Sequence, residues 1–249
     1  MNKLVGGYGS RLLKYKNNFT KRIASILYPP APFSKVINKK NRHFIQLRVF
    51  GEKSNLKVLD IGSGLTKGPG SWLWKDISSH NTTRVDIVDG PNIDLVADAT
   101  DLPIDDGSYD SVVIQSVAEH IEDTDSLMSE CVRILKSGGC IYLEMPFLQG
   151  VHGDPDDFWR MTLNGLESRM TKLNLEPLSL GVSGGPIGTM VWIFCDFFSN
   201  FIKNNIFNFT IRFLLRWLFA PLRFLDFLLI NTNASKRLSC EHYFLGTKK

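Results

Sequence analysis

Residues 58–64 read Val-Leu-Asp-Ile-Gly-Ser-Gly. Three apolar side chains flank one carboxylate, and two glycines follow at once. Such a run is a buried strand that ends in a tight glycine loop. Glycine reaches backbone angles closed to other residues and lets main chain lie against a ligand. A helix after such a loop aims its free N–H groups and partial positive charge at whatever sits above it. In α/β sheets, nucleotide-like cofactors bind at that edge. The loop fits neither common phosphate motif. Lys67 lacks the preceding Gly and the following Ser or Thr of a P-loop, and it stands where G-x-G-x-x-G needs its third glycine.

The following hundred residues extend the pattern. Residues 84–89 (Arg-Val-Asp-Ile-Val-Asp) and 93–99 (Ile-Asp-Leu-Val-Ala-Asp-Ala) read as a second and a third strand. Leu102-Pro103 and a turn at Asp105-Asp106-Gly107-Ser108 come next, then a fourth strand over 109–116. Leu127, Cys131, Ile134 and Leu135 recur with helical spacing, and Gly138-Gly139 is expected to stop that helix. Cys140 to Phe147 reads as a fifth strand. Strands alternating with helices predict a mostly parallel sheet with helices on both faces.

Val58 to Phe147 resembles the core of class I S-adenosylmethionine-dependent methyltransferases with small acceptors. The matching pieces are Val58-Leu-Asp-Ile-Gly-Ser-Gly64, Val85-Asp-Ile87, Ala97-Asp-Ala99, Leu102-Pro103, Asp106-Gly-Ser-Tyr-Asp110, Glu119-His120 and Leu135-Lys-Ser-Gly-Gly139. They keep the family's order over about 90 residues. One departure is Thr66, where the family loop often has a third glycine. The resemblance implies a Rossmann-like α/β sheet and S-adenosylmethionine as cofactor.

It also implies roles. Gly62, Ser63 and Gly64 would lie against the methionine part, with Asp60 organising the loop or meeting the amine through water. Asp86, followed by Ile87, would accept from both ribose hydroxyls, a task that suits a carboxylate's two oxygens; Asp89 is the runner-up. Asp98, beside the Ala99 backbone, would accept from the adenine amino group. Gln115 would line the methionine pocket. Each Asp has a plainer reading as a turn or cap residue.

The acceptor side is expected after the fifth strand. Residues 152–162 read His-Gly-Asp-Pro-Asp-Asp-Phe-Trp-Arg-Met-Thr. Some members of the family have a similar element there. His152 is the candidate base or acceptor-orienting group, since its ordinary pKa lies nearest neutrality. Arg160 is the candidate for holding an anionic or sugar-bearing acceptor, and Trp159 for an apolar wall. The plainer reading is a rigid loop in which Arg160 pairs with Asp157. His120 is a weaker candidate. No metal site is expected, because these residues lack an ordered ligand spacing.

The chain of 249 residues carries a net charge of +4 with a strong asymmetry. Residues 1–51 hold 11 Lys and Arg and no Asp or Glu, whereas the other 198 carry 18 basic and 25 acidic side chains, a balance of −7. Four cysteines form no C-x-x-C pair, which fits free buried thiols in a reducing, cytoplasmic setting. The basic arm suits an anionic surface, lipid or nucleic acid, or a plain solvated helix over the cofactor cleft.

Between a sixth strand near 178–182 and a seventh near 242–246 lie about 55 residues rich in Phe, Leu, Ile and Trp. No uncharged run there reaches the roughly 20 residues of a membrane span. Asn205, Asn208, Arg212, Arg216, Arg223 and Asp226 share one arc of about 80° on a helical wheel. A polar stripe beside a wide aromatic face suits a helix lying in a membrane interface. It suits equally a face buried on the catalytic domain or on a second copy. The basic arm adds an electrostatic anchor, so a peripheral position on the cytoplasmic membrane face is the favoured expectation.

Four regions are therefore expected: a basic extension over 1–50, a cofactor-binding core over 51–183, an apolar helical insertion over 184–236 and a last core strand over 237–249. The expected activity is methyl transfer to an oxygen of a small or lipid-linked acceptor, with a saccharide as one form. An RNA methyltransferase and a non-catalytic scaffold are the alternatives. Acceptor identity and oligomeric state are left open.

Overall fold

The computed structural model describes residues 39–52, 55–64, 73, 81–153, 155–229 and 232–249. The basic segment before residue 39, Thr66, Lys67 and Asp154 lie outside these residues.

The elements are α1 (Lys39–Phe50), β1 (Val58–Ile61), β2 (Thr82–Asp86), β3 (Leu95–Val96), β4 (Tyr109–Gln115), α2 (Thr124–Ile134), β5 (Leu135–Pro146), α3 (Leu163–Lys172) and β6 (Leu175–Gly184). The insertion follows as α4 (Pro186–Asn200), α5 (Asn205–Phe219), a 3-10 turn (Ala220–Leu225), α6 (Asp226–Leu229) and α7 (Asn233–Leu238). β7 (Glu241–Lys248) closes the chain.

The seven strands form one sheet in the order β3-β2-β1-β4-β5-β7-β6, the α/β architecture expected from the sequence. The pairs from β3 through β5 are parallel, and β7 runs antiparallel between β5 and β6. Strand side chains alternate between two cores. Leu59, Ile61, Val112, Ile114, Ile141 and Leu143 face the larger one, under α2 and α3. Val58, Val113, Tyr142 and Tyr243 face the other, where Ile45, Val49 and Phe50 of α1 cover them. Burial on both faces explains the nearly continuous apolar runs of β1, β4 and β5.

One boundary differs from expectation. The helix stops at Ile134, and β5 begins at Leu135, which pairs with Tyr109 before a bulge resets the register at Cys140. Leu135 is buried and extended, so core packing ends the helix ahead of the glycines. Gly138 then turns the strand at φ +75°, and a Cβ on Gly139 would meet the Lys136 and Asp110 carbonyls at 2.8 and 3.0 Å.

The chain leaves β1 toward β2 and β3, then jumps back across β1 to β4. The reversal opens a crevice at the carboxyl ends of β1 and β4, the place where open α/β sheets hold ligands.

Candidate functional site at the carboxyl edge of the sheet

The Gly62 and Ser63 amides donate to the Val85 carbonyl at 2.8 and 3.2 Å, so the loop folds over the end of β2. Gly62 and Gly64 sit at φ +68° and +72°, which favours glycine at both. A Cβ on Gly62 would lie 2.3 Å from Val117 Cγ2, while one on Gly64 meets nothing within 4 Å among the described residues. The loop is thus pressed from behind by Val117, and among the described residues nothing packs on Gly64, which leaves a cradle for a ligand.

Asp86 ends β2 and points into this cradle. Its Oδ2 accepts from the Gly64 amide at 2.9 Å and its Oδ1 from the Val88 amide at 3.1 Å. Each oxygen keeps acceptor capacity, which two neighbouring hydroxyls would use. Ile87 beside it is 70 % exposed, an apolar platform at the pocket rim. Asp89 lies exposed past the strand end. Asp60 is half-buried behind the loop. Burial pushes its carboxyl up to about 6, against the lowering pull of Ser63 and Arg84.

Asp98 takes the turn-capping role of its plainer reading. Its Oδ1 caps the following turn, accepting from the Thr100 amide at 2.9 Å and hydroxyl at 2.8 Å, and these bonds hold its pKa down. The side chain is exposed beside Ala99, which packs against the larger core. Gln115 ends β4 at the same edge. The next residue, Ser116, has φ +53°, uncommon outside glycine. Its hydroxyl donates to Glu241 Oε1 at 2.6 Å, pinning the strand exit to β7. The sequence carries no mark of this strained serine, because its support comes from a residue 125 positions away.

The acceptor-side loop docks on the turn after β4. The Phe158 and Trp159 amides donate to the Glu119 carbonyl at 2.7 and 3.3 Å, and Trp159 Nε1 donates to the carbonyls of Ile121 and Glu122. Trp159 thus bolts the loop down while its ring stays partly exposed. Arg160 grips Asp157 with both arms, at 2.6 and 2.7 Å, and also donates to the Gln149, Gly150 and Trp159 carbonyls. Its guanidinium is spent inside the loop, as in the rigid-loop reading. Burial acts to raise Asp157, but Arg160 and the His152 amide outweigh it and hold the carboxyl low.

His152 comes to lie beside His120, with ring centroids 5.2 Å apart, and beside Trp192 of α4 at 6.2 Å. Its pKa is raised, first by the Glu119 carboxylate, against burial, and further by the Gly150 carbonyl and Asp157. Glu119, His120 and His152 each offer a ligand atom, and these atoms lie within 4.8 Å of one another. Spacing along the chain missed this group, since 32 residues separate its two sources and the docked loop joins them.

The insertion reverses the usual sidedness of a helix. Of the shared polar arc, Asn208, Arg212, Arg216 and Asp226 turn inward. Asn208 Nδ2 donates to the Ser199 carbonyl at 2.8 Å, Arg212 pairs with Asp196 at 3.2 Å, and Arg216 is buried. Asp226, 0 % exposed, accepts from the Ile187 and Gly188 amides at 2.7 and 2.9 Å and so caps α4. The aromatic face points outward, with Phe201 73 % and Ile206 80 % exposed. Among the described residues, no helix is long and apolar enough to cross a membrane.

Residues 59–143 match the family model of a methyltransferase domain. Among curated proteins, a demethylmenaquinone methyltransferase from Streptomyces avermitilis is 31 % identical over 94 residues, which cover 35 % of this chain and 41 % of that protein. The match therefore spans about two fifths of the relative's length. Two solved structures share the fold. Haemonchus contortus phosphoethanolamine N-methyltransferase 2, in complex with S-adenosyl-L-methionine, has a TM-score of 0.52 at 17 % identity, covering 100 % of this chain and 61 % of that one. The [4+2]-cyclase SpnF also has a TM-score of 0.52, at 14 % identity, covering 84 % and 80 %. A cyclase on this fold is a reminder that reaction type lives in the site. The order of the parallel strands and the glycine loop held by Asp86 thus belong to a stretch, residues 59–143, that is similar to a methyltransferase domain.

Proposed function

We propose that the chain binds S-adenosylmethionine at the β1–β4 crevice and methylates an oxygen of a small or lipid-linked acceptor at a membrane surface. The observation that carries the reading is Asp86 at the end of β2 bonded to the Gly64 amide of the glycine loop. Bare main chain at Gly62–Gly64 suits the amino-acid tail, Asp86 the ribose diol, Ile87 and Ala99 the adenine faces, and the free Asp98 Oδ2 the adenine amino group. When bound, this cofactor supplies an electrophilic methyl group on a sulfonium centre. The protein's part is then to align an acceptor and take up its proton. His152 is placed for that work, half-buried next to the turn whose Val117 backs the glycine loop. Arg160 and Asp157 support it by holding its loop.

The exposed aromatic face of α4 to α6 supports the membrane part of the reading. In water so large an apolar surface favours association, and a lipid interface would cover it.

Calorimetric titration with S-adenosylmethionine tests the pocket, and methyl incorporation into a membrane extract tests turnover. Weaker binding in Asp86→Ala is expected; no heat with the folded wild type would end the proposal. Binding without S-adenosylhomocysteine release under any acceptor would favour a scaffold. For the surface, flotation with anionic vesicles is expected, and a folded chain that stays at the bottom of the gradient removes the membrane.

A further inference from the structure

The geometry points to a site for one divalent first-row transition-metal ion held by Glu119, His120 and His152. Glu119 and His120 lie in the turn after β4, and His152 in the loop after β5. The Phe158 and Trp159 bonds to the Glu119 carbonyl hold the two segments in register.

The imidazoles are arranged as metal-binding histidines are. His120 Nδ1 meets the Asp156 carbonyl at 2.5 Å, and His152 Nδ1 meets the Gly150 carbonyl at 3.2 Å. A carbonyl only accepts, so each Nδ1 carries the proton and each Nε2 keeps a lone pair. Arg160 Nη2 also lies 3.3 Å from His152 Nδ1, but a guanidinium cannot accept, and its own bonds go to Asp157 and Gly150. Backbone carbonyls behind ligand histidines fix tautomer and ring direction in this way.

Both lone pairs converge on Glu119. Nε2 of His152 lies 3.6 Å and Nε2 of His120 3.8 Å from its Oε1. These separations are too long for hydrogen bonds. They are close to the spacing of about 3.4 Å between neighbouring ligands around a tetrahedral ion with bonds near 2.1 Å. The Glu119 side chain is 1 % exposed, and among the described residues neither carboxylate oxygen has a hydrogen-bond partner. A carboxylate buried so deeply is costly unless a cation answers it. Two imidazoles and one carboxylate suit zinc, manganese, iron or cobalt better than magnesium or calcium. Three protein ligands leave at least one position open. Val117, two residues before Glu119, touches the glycine loop, so the open position belongs to the same crevice. On the methyltransferase reading, that position would take the acceptor oxygen and make its proton easier to lose to water, and with the ion bound His152 would orient the acceptor in place of acting as its base.

The test uses the full chain, stripped with a chelator and titrated with Co²⁺ under visible absorption, then with Zn²⁺ in competition. One Co²⁺ per chain, displaced by Zn²⁺, is expected. Glu119→Gln and His152→Asn are each expected to weaken Zn²⁺ binding at least about 100-fold, the upper end of what losing a supporting partner costs. His43→Asn in α1 is expected to bind as the wild type does. Should Glu119→Gln fail to fold by circular dichroism, His120→Asn takes its place. Less than about 0.1 ion per chain, or Zn²⁺ affinity that survives in the folded ligand variants, overturns the site and leaves the three residues as an ion-paired cluster. S-adenosylmethionine calorimetry on the same samples separates this failure from a failure of the cofactor pocket, because metal binding is read without turnover.

Discussion

Leu143 and Leu228 are the same residue under opposite rules. Leu143 stands in the middle of β5 and is fully buried in the larger core. Leu228 stands in α6 and is 77 % exposed. Around Leu143 the apolar residues turn inward and polar ones stand at the carboxyl edge, where Asp86 ends β2 and Gln115 ends β4. Around Leu228 the polar residues turn inward, as Asp226, Asn208 and Arg212 tie α4, α5 and α6 together, and the aromatic residues turn out. One region is organised by water outside it. The other leaves an apolar face exposed, and its internal order rests on hydrogen bonds and ion pairs. In such a place, polar bonds decide which face of a helix is the inside.

The largest test of this contrast is truncation at the two leucines. Leu143→Ala is expected to destabilise the fold by about 2–5 kcal/mol, as core deletions do, measured by denaturant unfolding. If Leu143→Ala and Leu228→Ala proved equal, the two regions would not differ as described. Second, Asp86→Ala is expected to weaken S-adenosylmethionine by about 2–3 kcal/mol, from lost bonds to a charged acceptor. Calorimetry reads this directly, and wild-type affinity in the variant would place the ribose elsewhere.

Third, Asp226→Ala leaves the Ile187 and Gly188 amides without their acceptor. Its expected cost is about 1–2 kcal/mol, the range for a lost helix cap. A loss near zero would mean that polar bonds do not organise the insertion.

Asp60 gives a pH test on the sheet side. Its folded pKa of about 6 lies above the ordinary 3.8, so the folded chain holds this proton more tightly than the unfolded chain does. The stability so gained is full below pH 3.8 and is lost as pH rises through 6. Over that window the loss is on the order of 3 kcal/mol, and Asp60→Asn should remove it from the Tm profile. Cofactor affinity is expected to run the other way, tightening as Asp60 ionises and attracts the methionine ammonium. The smallest effect belongs to Leu228→Ala, within about 0.5 kcal/mol for an exposed site. Vesicle flotation should nonetheless weaken when Leu228→Ser is combined with Phe201→Ser.

Much of the sheet was legible because its signals are local. The apolar runs of β1 and β4, the paired glycines after β1 and the aspartate that ends β2 act through backbone geometry and near neighbours, and seven strands appear in the expected order. Strand ends shifted where pairing partners extended them, as in β6, which runs from Leu175 to Gly184 beside β7. The helical wheel likewise located the polar arc of the insertion correctly.

The residues alone thus determined the glycine loop, the position of Asp86 and the composition of the insertion, since each depends on side chains a few positions apart. Tertiary packing decided three other things. It spent Arg160 on Asp157, it brought His152 to Glu119 and His120, and it turned the polar arc of α5 and α6 inward. Each depends on which distant segment arrives to supply a carbonyl, a carboxylate or a capped helix end, and periodicity along one helix cannot say what lies across from it.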